Sequence, residues 1–231
     1  MFKLKNLVKQ NNVRLLVFDM AGTTVDEGGI VYQTLFDTFK QYRVNVNKED
    51  IYKWHGRNKN EVLSEYLHKR KSLEGHEEFP IIEKGLHDSF EKNLRERYFT
   101  SSSIKLIDDN MPELFNNIRK KDIKIALNTG YSKSIQESII KKLNMNEFID
   151  IYISSEEVKY GRPYPYMIYK LMEKYEIDNP LKVVKFGDTR NDILEGINAR
   201  CWSVGVLSGA DGKNKLSEAD VIINSVMDMD I

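Results

Sequence analysis

The chain has one cysteine and no surplus of charge: its 231 residues carry 35 Lys plus Arg against 35 Asp plus Glu. A single cysteine excludes an intrachain disulfide. Cys201 opens the apolar run Cys201-Trp202-Ser203-Val204-Gly205-Val206 and reads as a packing residue rather than a redox centre. The neutral balance, with no extended basic patch, argues against nucleic acid as a partner. The short run Arg119-Lys120-Lys121 falls at the end of an expected helix, where cations have a local reason to be. No segment approaches the ~18 consecutive apolar residues of a membrane span, and Met1-Phe2-Lys3-Leu4-Lys5 lacks a signal-peptide core, so the expectation is a cytoplasmic protein without a membrane partner. Internal repeats and low-complexity tracts are absent as well, and the length suits one α/β domain with an insertion.

What is present is an alternation of helical and extended patterns. Strands are expected over Val13 to Phe18, Ile123 to Asn128, Ile149 to Ile153, 181 to 186, Cys201 to Val206 and Asp220 to Ile223. Helices are expected from Pro112, Ser132 and Pro163, and such alternation predicts a parallel sheet. Between the first strand and the rest the pattern is helical throughout. Val31, Leu35 and Phe39 recur at four-residue spacing, Val62, Leu63, Tyr66 and Leu67 form a second stripe, and Ile82, Leu86, Phe90, Leu94 and Tyr98 a third. These stripes predict packing between antiparallel helices rather than a ligand role. Ser101-Ser102-Ser103 marks the return to the sheet.

Four strand ends carry the chemistry. Asp19 closes the first apolar run and opens Asp19-Met20-Ala21-Gly22-Thr23-Thr24, a carboxylate delivered into a tight turn where open α/β sheets bind ligands. The next run ends in Asn128-Thr129-Gly130, a hydroxyl and a glycine ahead of a helix N-terminus, which suits a phosphate. Arg162 precedes Pro163 and offers a fork of donors to an oxyanion. Gly187-Asp188-Thr189-Arg190-Asn191-Asp192 follows a later strand, and its two carboxylates with Asp19 suit a hard divalent cation. Each of these has an ordinary alternative: a turn residue, a helix cap or a solvated arginine.

Their order resembles the haloacid dehalogenase-like hydrolases over nearly the whole chain. The resemblance implies an α/β fold, a Rossmann-like parallel-sheet core of residues 1–24 and 104–231 with an inserted helical cap of residues 25–103. It further implies Asp19 as nucleophile, Thr129 as phosphate ligand, and Mg2+ held by Asp19, the Ala21 carbonyl, Asp188 and Asp192. Family phosphatases usually carry a second aspartate two residues after the nucleophile, and usually a lysine before the proline. Here these are Ala21 and Arg162. Both departures resemble the phosphonoacetaldehyde hydrolase branch, whose first motif also reads Asp-x-Ala-Gly-Thr-Thr.

A methyl group cannot shuttle protons, which costs a phosphatase roughly 10²- to 10⁴-fold. A carbon leaving group beside an aldehyde needs an electron sink instead, and a protonated imine with a lysine provides one. The branch carries that lysine in its cap, after a glycine with two residues between, and Gly56-Arg57-Asn58-Lys59 matches the spacing. Asn58-Lys59-Asn60-Glu61 also has the form of a helix start, so the helix dipole should lower the Lys59 amine below its usual ~10.4. Thr23, His55, Gly130 and Tyr131 are assigned to the substrate, a small phosphonate or phosphate. Trp54-His55 and Arg57-Asn58 depart from residue types common in the branch. Two other readings remain open: a phosphatase of small phosphomonoesters, and a catalytically silent phosphate-binding module. The resemblance also admits a homodimer through the cap, which the sequence does not separate from packing within one chain.

Overall fold

The computed structural model describes residues 4–69, 78–100 and 104–229, so the Ser101 to Ser103 return lies outside the described residues. In chain order the elements are α1 (Leu4–Gln10), β1 (Leu15–Asp19), β2 (Val25–Asp26), α2 (Ile30–Gln41), α3 (Lys48–Trp54), α4 (Lys59–His68), α5 (Phe79–Thr100), β3 (Lys105–Leu106), α6 (Met111–Arg119), β4 (Lys124–Thr129), α7 (Lys133–Lys142), β5 (Ile151–Ser154), α8 (Tyr166–Lys174), β6 (Val183–Gly187), α9 (Arg190–Ala199), β7 (Trp202–Val206) and β8 (Val221–Ile223). Six strands form one parallel sheet in the order β5-β4-β1-β6-β7-β8, the expected α/β Rossmann-like core, and β2 pairs antiparallel with β3 in a separate ribbon.

β1 sits between β4 and β6, buried along its whole length, as a central parallel strand must be. Its alternating side chains feed two cores. Leu16 and Phe18 join the larger, where Phe18 stacks on Phe186 at 4.5 Å between ring centroids, while Leu15 and Val17 join the smaller beneath Met167, Ile168 and Leu171. Full burial of a side chain such as Phe18 contributes about 1.5–3 kcal/mol. The register sets Asp19 level with Asn128, and Thr129 level with Ser154, so the polar residues that end these runs emerge on one rim.

The helices between β2 and β3 follow the three apolar stripes. Val31, Leu35 and Phe39 of α2 and Leu86, Phe90, Leu94 and Tyr98 of α5 are buried, and polar contacts join the same pair of helices, Arg97 to Asp37 at 2.6 Å and Tyr42 to Ser89 at 2.9 Å.

Two features differ from the sequence reading. α8 begins at Tyr166, not at Pro163, because Pro165 disfavours helical backbone at Tyr164 and takes the N-cap place itself, leaving 161–164 as a turn closed by Tyr164 N–H to the Gly161 carbonyl. α1 was not expected at all; it is seven residues long, and Leu7 is its one fully buried anchor among the described side chains.

Candidate active site

Asp19 ends β1 and is 4% exposed. The turn that follows is closed by Gly22 N–H to the Val25 carbonyl, Val25 N–H to the Met20 carbonyl and the Thr24 hydroxyl to the Asp19 carbonyl, at 2.8, 2.8 and 2.9 Å. Gly22 is required here twice over. Its φ is +80°, and a Cβ would lie 2.5 Å from Asp188 Oδ2.

Arg162 reaches Asp19 from the loop before α8, Nη1 to Oδ1 at 2.7 Å, and pairs through the same nitrogen with Asp192. Behind it lies a buried lattice of charges. Lys185 Nζ is 2.7 Å from Asp192 Oδ1 and donates to Asn128 Oδ1 at 3.0 Å, and Asn128 in turn donates to both Glu195 oxygens. Burial raises the Glu195 carboxyl to about 7 despite its cations, whereas for Asp192 the paired Arg162 and Lys185 outweigh burial and hold the carboxyl below the usual range. Neither Lys185 nor Glu195 was singled out from the sequence. The available signal was a lysine inside the apolar run Val183-Val184-Lys185-Phe186, since a cation in a central strand must be paired.

Asp19, Asp188 and Asp192 each present a carboxylate oxygen within 4.8 Å of the others, all buried. Hard oxygen donors at this spacing fit a divalent cation. In formal charge, four carboxyls (these three and Glu195) face Arg162 and Lys185, with Lys59 across the pocket from Asp19, so carboxyls outnumber cations four to three. Burial, then Asp19 and Asp192, push Asp188 well above the usual carboxylate range. The Asp192 oxygens are already taken, Oδ1 by Arg162 and Lys185, Oδ2 by the Thr189 hydroxyl and N–H. Asp192 thus orients Arg162 and Lys185, and Asp188 is held as well, its Oδ1 accepting from the Thr23 hydroxyl and its Oδ2 from the Ala210 N–H at 2.6 Å. Thr23, assigned to substrate from the sequence, is fully buried and donates to Asp188 Oδ1 at 3.1 Å.

Lys59 enters from the helical segment. Asn58 caps α4, its Oδ1 accepting from Asn60 and Glu61 N–H at 2.8 and 3.2 Å, while its Nδ2 donates to Ser155 Oγ, just after β5, at 2.9 Å. Lys59 is 6% exposed; its Nζ donates to the carbonyls of Arg57 and Trp54 at 2.7 and 3.3 Å and lies 5.3 Å from the Tyr32 ring centre. Burial, reinforced by Arg162, lowers the amine to about 8. The direction agrees with the sequence reading, but desolvation leads rather than a helix dipole.

Asp19, Ala21, Lys59, Thr129, Gly130, Tyr131 and Arg162 thus line one pocket of about 20 Å³, room for little more than a water molecule. A cavity of about 350 Å³ adjoins it, bounded by Ala21, Glu27, Tyr32, His55 and Asp188. His55 faces that second space, with Nδ1 3.0 Å from Asp211 Oδ1, and is not brought to the Lys59 pocket.

A profile of the haloacid dehalogenase-like hydrolase family matches residues 16–206, and the chain belongs to that family and is a hydrolase. Among its relatives is the phosphonoacetaldehyde hydrolase of Bacillus cereus (strain B4264), 29% identical over 203 residues that cover 86% of this chain and 77% of that one. A bifunctional phosphonoacetaldehyde hydrolase/aminoethylphosphonate transaminase of Clostridioides difficile (strain 630) is 29% identical over 213 residues, and the match spans 86% of this chain but only 32% of that longer protein. The crystal structure of a phosphonoacetaldehyde hydrolase-like protein from Oleispira antarctica shares the fold, with a TM-score of 0.76 and 23% identity over 94% of this chain and 90% of that one.

Proposed function

We propose that this hydrolase cleaves the carbon–phosphorus bond of phosphonoacetaldehyde or a closely related phosphonate aldehyde, with Mg2+ as cofactor. The observation that carries the reading is a buried lysine amine, lowered to about 8, sharing a pocket with Asp19 and with a methyl group where a phosphatase would use a carboxylate. The phosphonoacetaldehyde hydrolases among the chain's relatives support it.

In the proposed mechanism Lys59 attacks the aldehyde carbon and water leaves, giving a protonated imine. Asp19 then attacks phosphorus, the carbon–phosphorus bond breaks, and its electron pair is taken up by the imine as an enamine. Water hydrolyses the aspartyl phosphate. Thr129 Oγ1 accepts from the Tyr131 N–H at 3.3 Å, which leaves its own hydrogen for a phosphoryl oxygen, and Gly130 N–H lies beside it. Arg162 balances phosphoryl charge. Asp19, Asp188 and the Ala21 carbonyl would hold Mg2+, with Asp192 behind them; when bound, the ion offsets the repulsion between the Asp19 carboxylate and the phosphonate. Residues 25–103 act as a cap that opens for entry, since a space of about 20 Å³ does not admit such a substrate.

The test is phosphate release from phosphonoacetaldehyde with Mg2+, comparing the natural protein with Lys59→Arg, which keeps the charge and disfavours the imine. Turnover in the natural protein, lost in the variant, together with borohydride inactivation in the presence of substrate, is the expected result. Phosphate release from phosphomonoesters that is indifferent to borohydride and to Lys59→Arg would sink the reading in favour of a phosphatase.

A further inference from the structure

Glu27 is a buried carboxylate that the mechanism above does not use. It follows β2 at the entry to the helical segment and is 6% exposed. Its Oε2 lies 2.5 Å from the Tyr98 hydroxyl, 3.2 Å from the Tyr131 hydroxyl and 3.3 Å from the Val31 N–H, and the two hydroxyls are 2.8 Å apart. Three oxygens therefore form a triangle with three hydrogen-bond edges, but two tyrosines bring only two hydrogens. With both hydroxyls donating to Oε2, the edge between them is left without a hydrogen; a third proton, on Glu27, would fill it, with Glu27 donating to Tyr131, Tyr131 to Tyr98, and Tyr98 back to Glu27. Tyr131 is the corner of the triangle that lines the Asp19 and Lys59 pocket.

We propose that Glu27 is a positioning residue that holds a proton for Tyr131, and that Tyr131 passes it to the carbon leaving phosphorus, supplying the acid–base function absent at Ala21. This rests on the carbon–phosphorus reading. The proton count closes. After Asp19 takes the phosphoryl group, the enamine carbon takes a proton from Tyr131 Oη, which is replenished from Glu27. One water then hydrolyses the iminium to the aldehyde and the Lys59 ammonium. A second water cleaves the aspartyl phosphate and releases the one proton that restores Glu27. The charged and titratable groups facing Glu27 are Lys59 of α4, Tyr32 of α2, Tyr98 of α5 and Tyr131 after β4; burial raises the Glu27 carboxyl above its usual range, and the two tyrosine hydroxyls, then Lys59, oppose it. A carboxyl so raised keeps its proton nearer neutrality and loses it as pH rises.

Glu27→Gln keeps the shape and cannot supply the proton. With phosphonoacetaldehyde and Mg2+, kcat for phosphate release should fall about 10²-fold or more. Borohydride trapping of Lys59 by the substrate should stay within about threefold, and the loss of kcat at alkaline pH should disappear from the profile. Where Glu27→Gln does not fold, Tyr98→Phe, which lies outside the pocket, breaks the triangle; it should lower kcat about tenfold and move the alkaline limb to higher pH, because a donor to the Glu27 carboxylate is gone. An unchanged kcat and pH profile in a folded variant overturns the proposal, as does parallel loss of kcat and trapping, which marks a merely structural role. A natural protein that neither releases phosphate nor traps borohydride overturns the substrate reading and this inference with it. An active natural protein with an indifferent Glu27→Gln overturns the inference alone.

Discussion

Burial acts on Asp19 and Lys59 in opposite senses, raising the acid and lowering the base, so that both drift toward neutrality. For the lysine a neutral amine is the nucleophile; for the aspartate the anion is. Arg162 separates the two cases, because its positive charge lowers the Asp19 carboxyl toward ionisation and lowers the Lys59 amine toward neutrality. One guanidinium thereby favours the nucleophilic form of each partner. At about 8, roughly one Lys59 in ten is neutral at pH 7, against fewer than one in a thousand at an ordinary ~10.4. On the proposed reading, the rate of borohydride trapping with phosphonoacetaldehyde should climb with pH, pass its midpoint near pH 8 and level off about one unit above; a rise continuing past pH 10 would contradict a desolvated amine. Asp19→Asn should reduce phosphate release by roughly 10⁴-fold or more while trapping of Lys59 continues, since imine formation precedes attack on phosphorus. Retained phosphate release would remove Asp19 from the nucleophile's place.

The strand ends and the start of α4 were legible in the chain because their causes are local. An apolar run ending in a polar residue, and an asparagine three residues before a glutamate, are patterns set within a single turn. What could not be read is what long-range contact decides. The pairing of Arg162 with Asp19 and Asp192, the use of Thr23 on Asp188, and the turning of His55 toward Asp211 all join residues more than a hundred positions apart, apart from the Arg162 and Asp192 pair, which spans thirty. α4 makes the point in energetic terms. Its cap follows from Asn58, but the seating of that cap depends on Gly130, where a Cβ would lie 2.6 Å from the Arg57 carbonyl. Gly130→Ala should therefore push the Arg57 and Asn58 turn, and Lys59 with it, away from Asp19. The expected result is a fall in kcat/KM of about 10²-fold with little change in melting temperature, since the strand and α7 themselves keep their packing. A variant with normal kinetics would mean that this close approach is not part of the reacting state.

Across the molecule, a negative excess is concentrated at the carboxyl ends of β1 and β6, under the helical segment, while the chain as a whole is neutral. Among the described residues no helix is long and apolar enough to cross a membrane. Keeping four carboxyls beside three cations out of water is costly for the folded state unless something offsets the remaining charge. On the proposed reading a divalent cation does so, and an ion that binds the folded cluster in preference to the unfolded chain stabilises the protein by mass action. At Mg2+ a hundredfold above its dissociation constant the gain is about 2.7 kcal/mol, or roughly 5–10 °C in melting temperature for a chain of this size. Addition of a chelator should reverse the shift. Asp188→Asn should abolish the Mg2+ dependence, and should itself melt at or above the metal-free natural protein, because burial and its acidic neighbours make an ionised carboxyl costly at this place and an amide carries no such cost. A melting temperature indifferent to Mg2+ would argue that the cluster is neutralised by protons rather than by a metal.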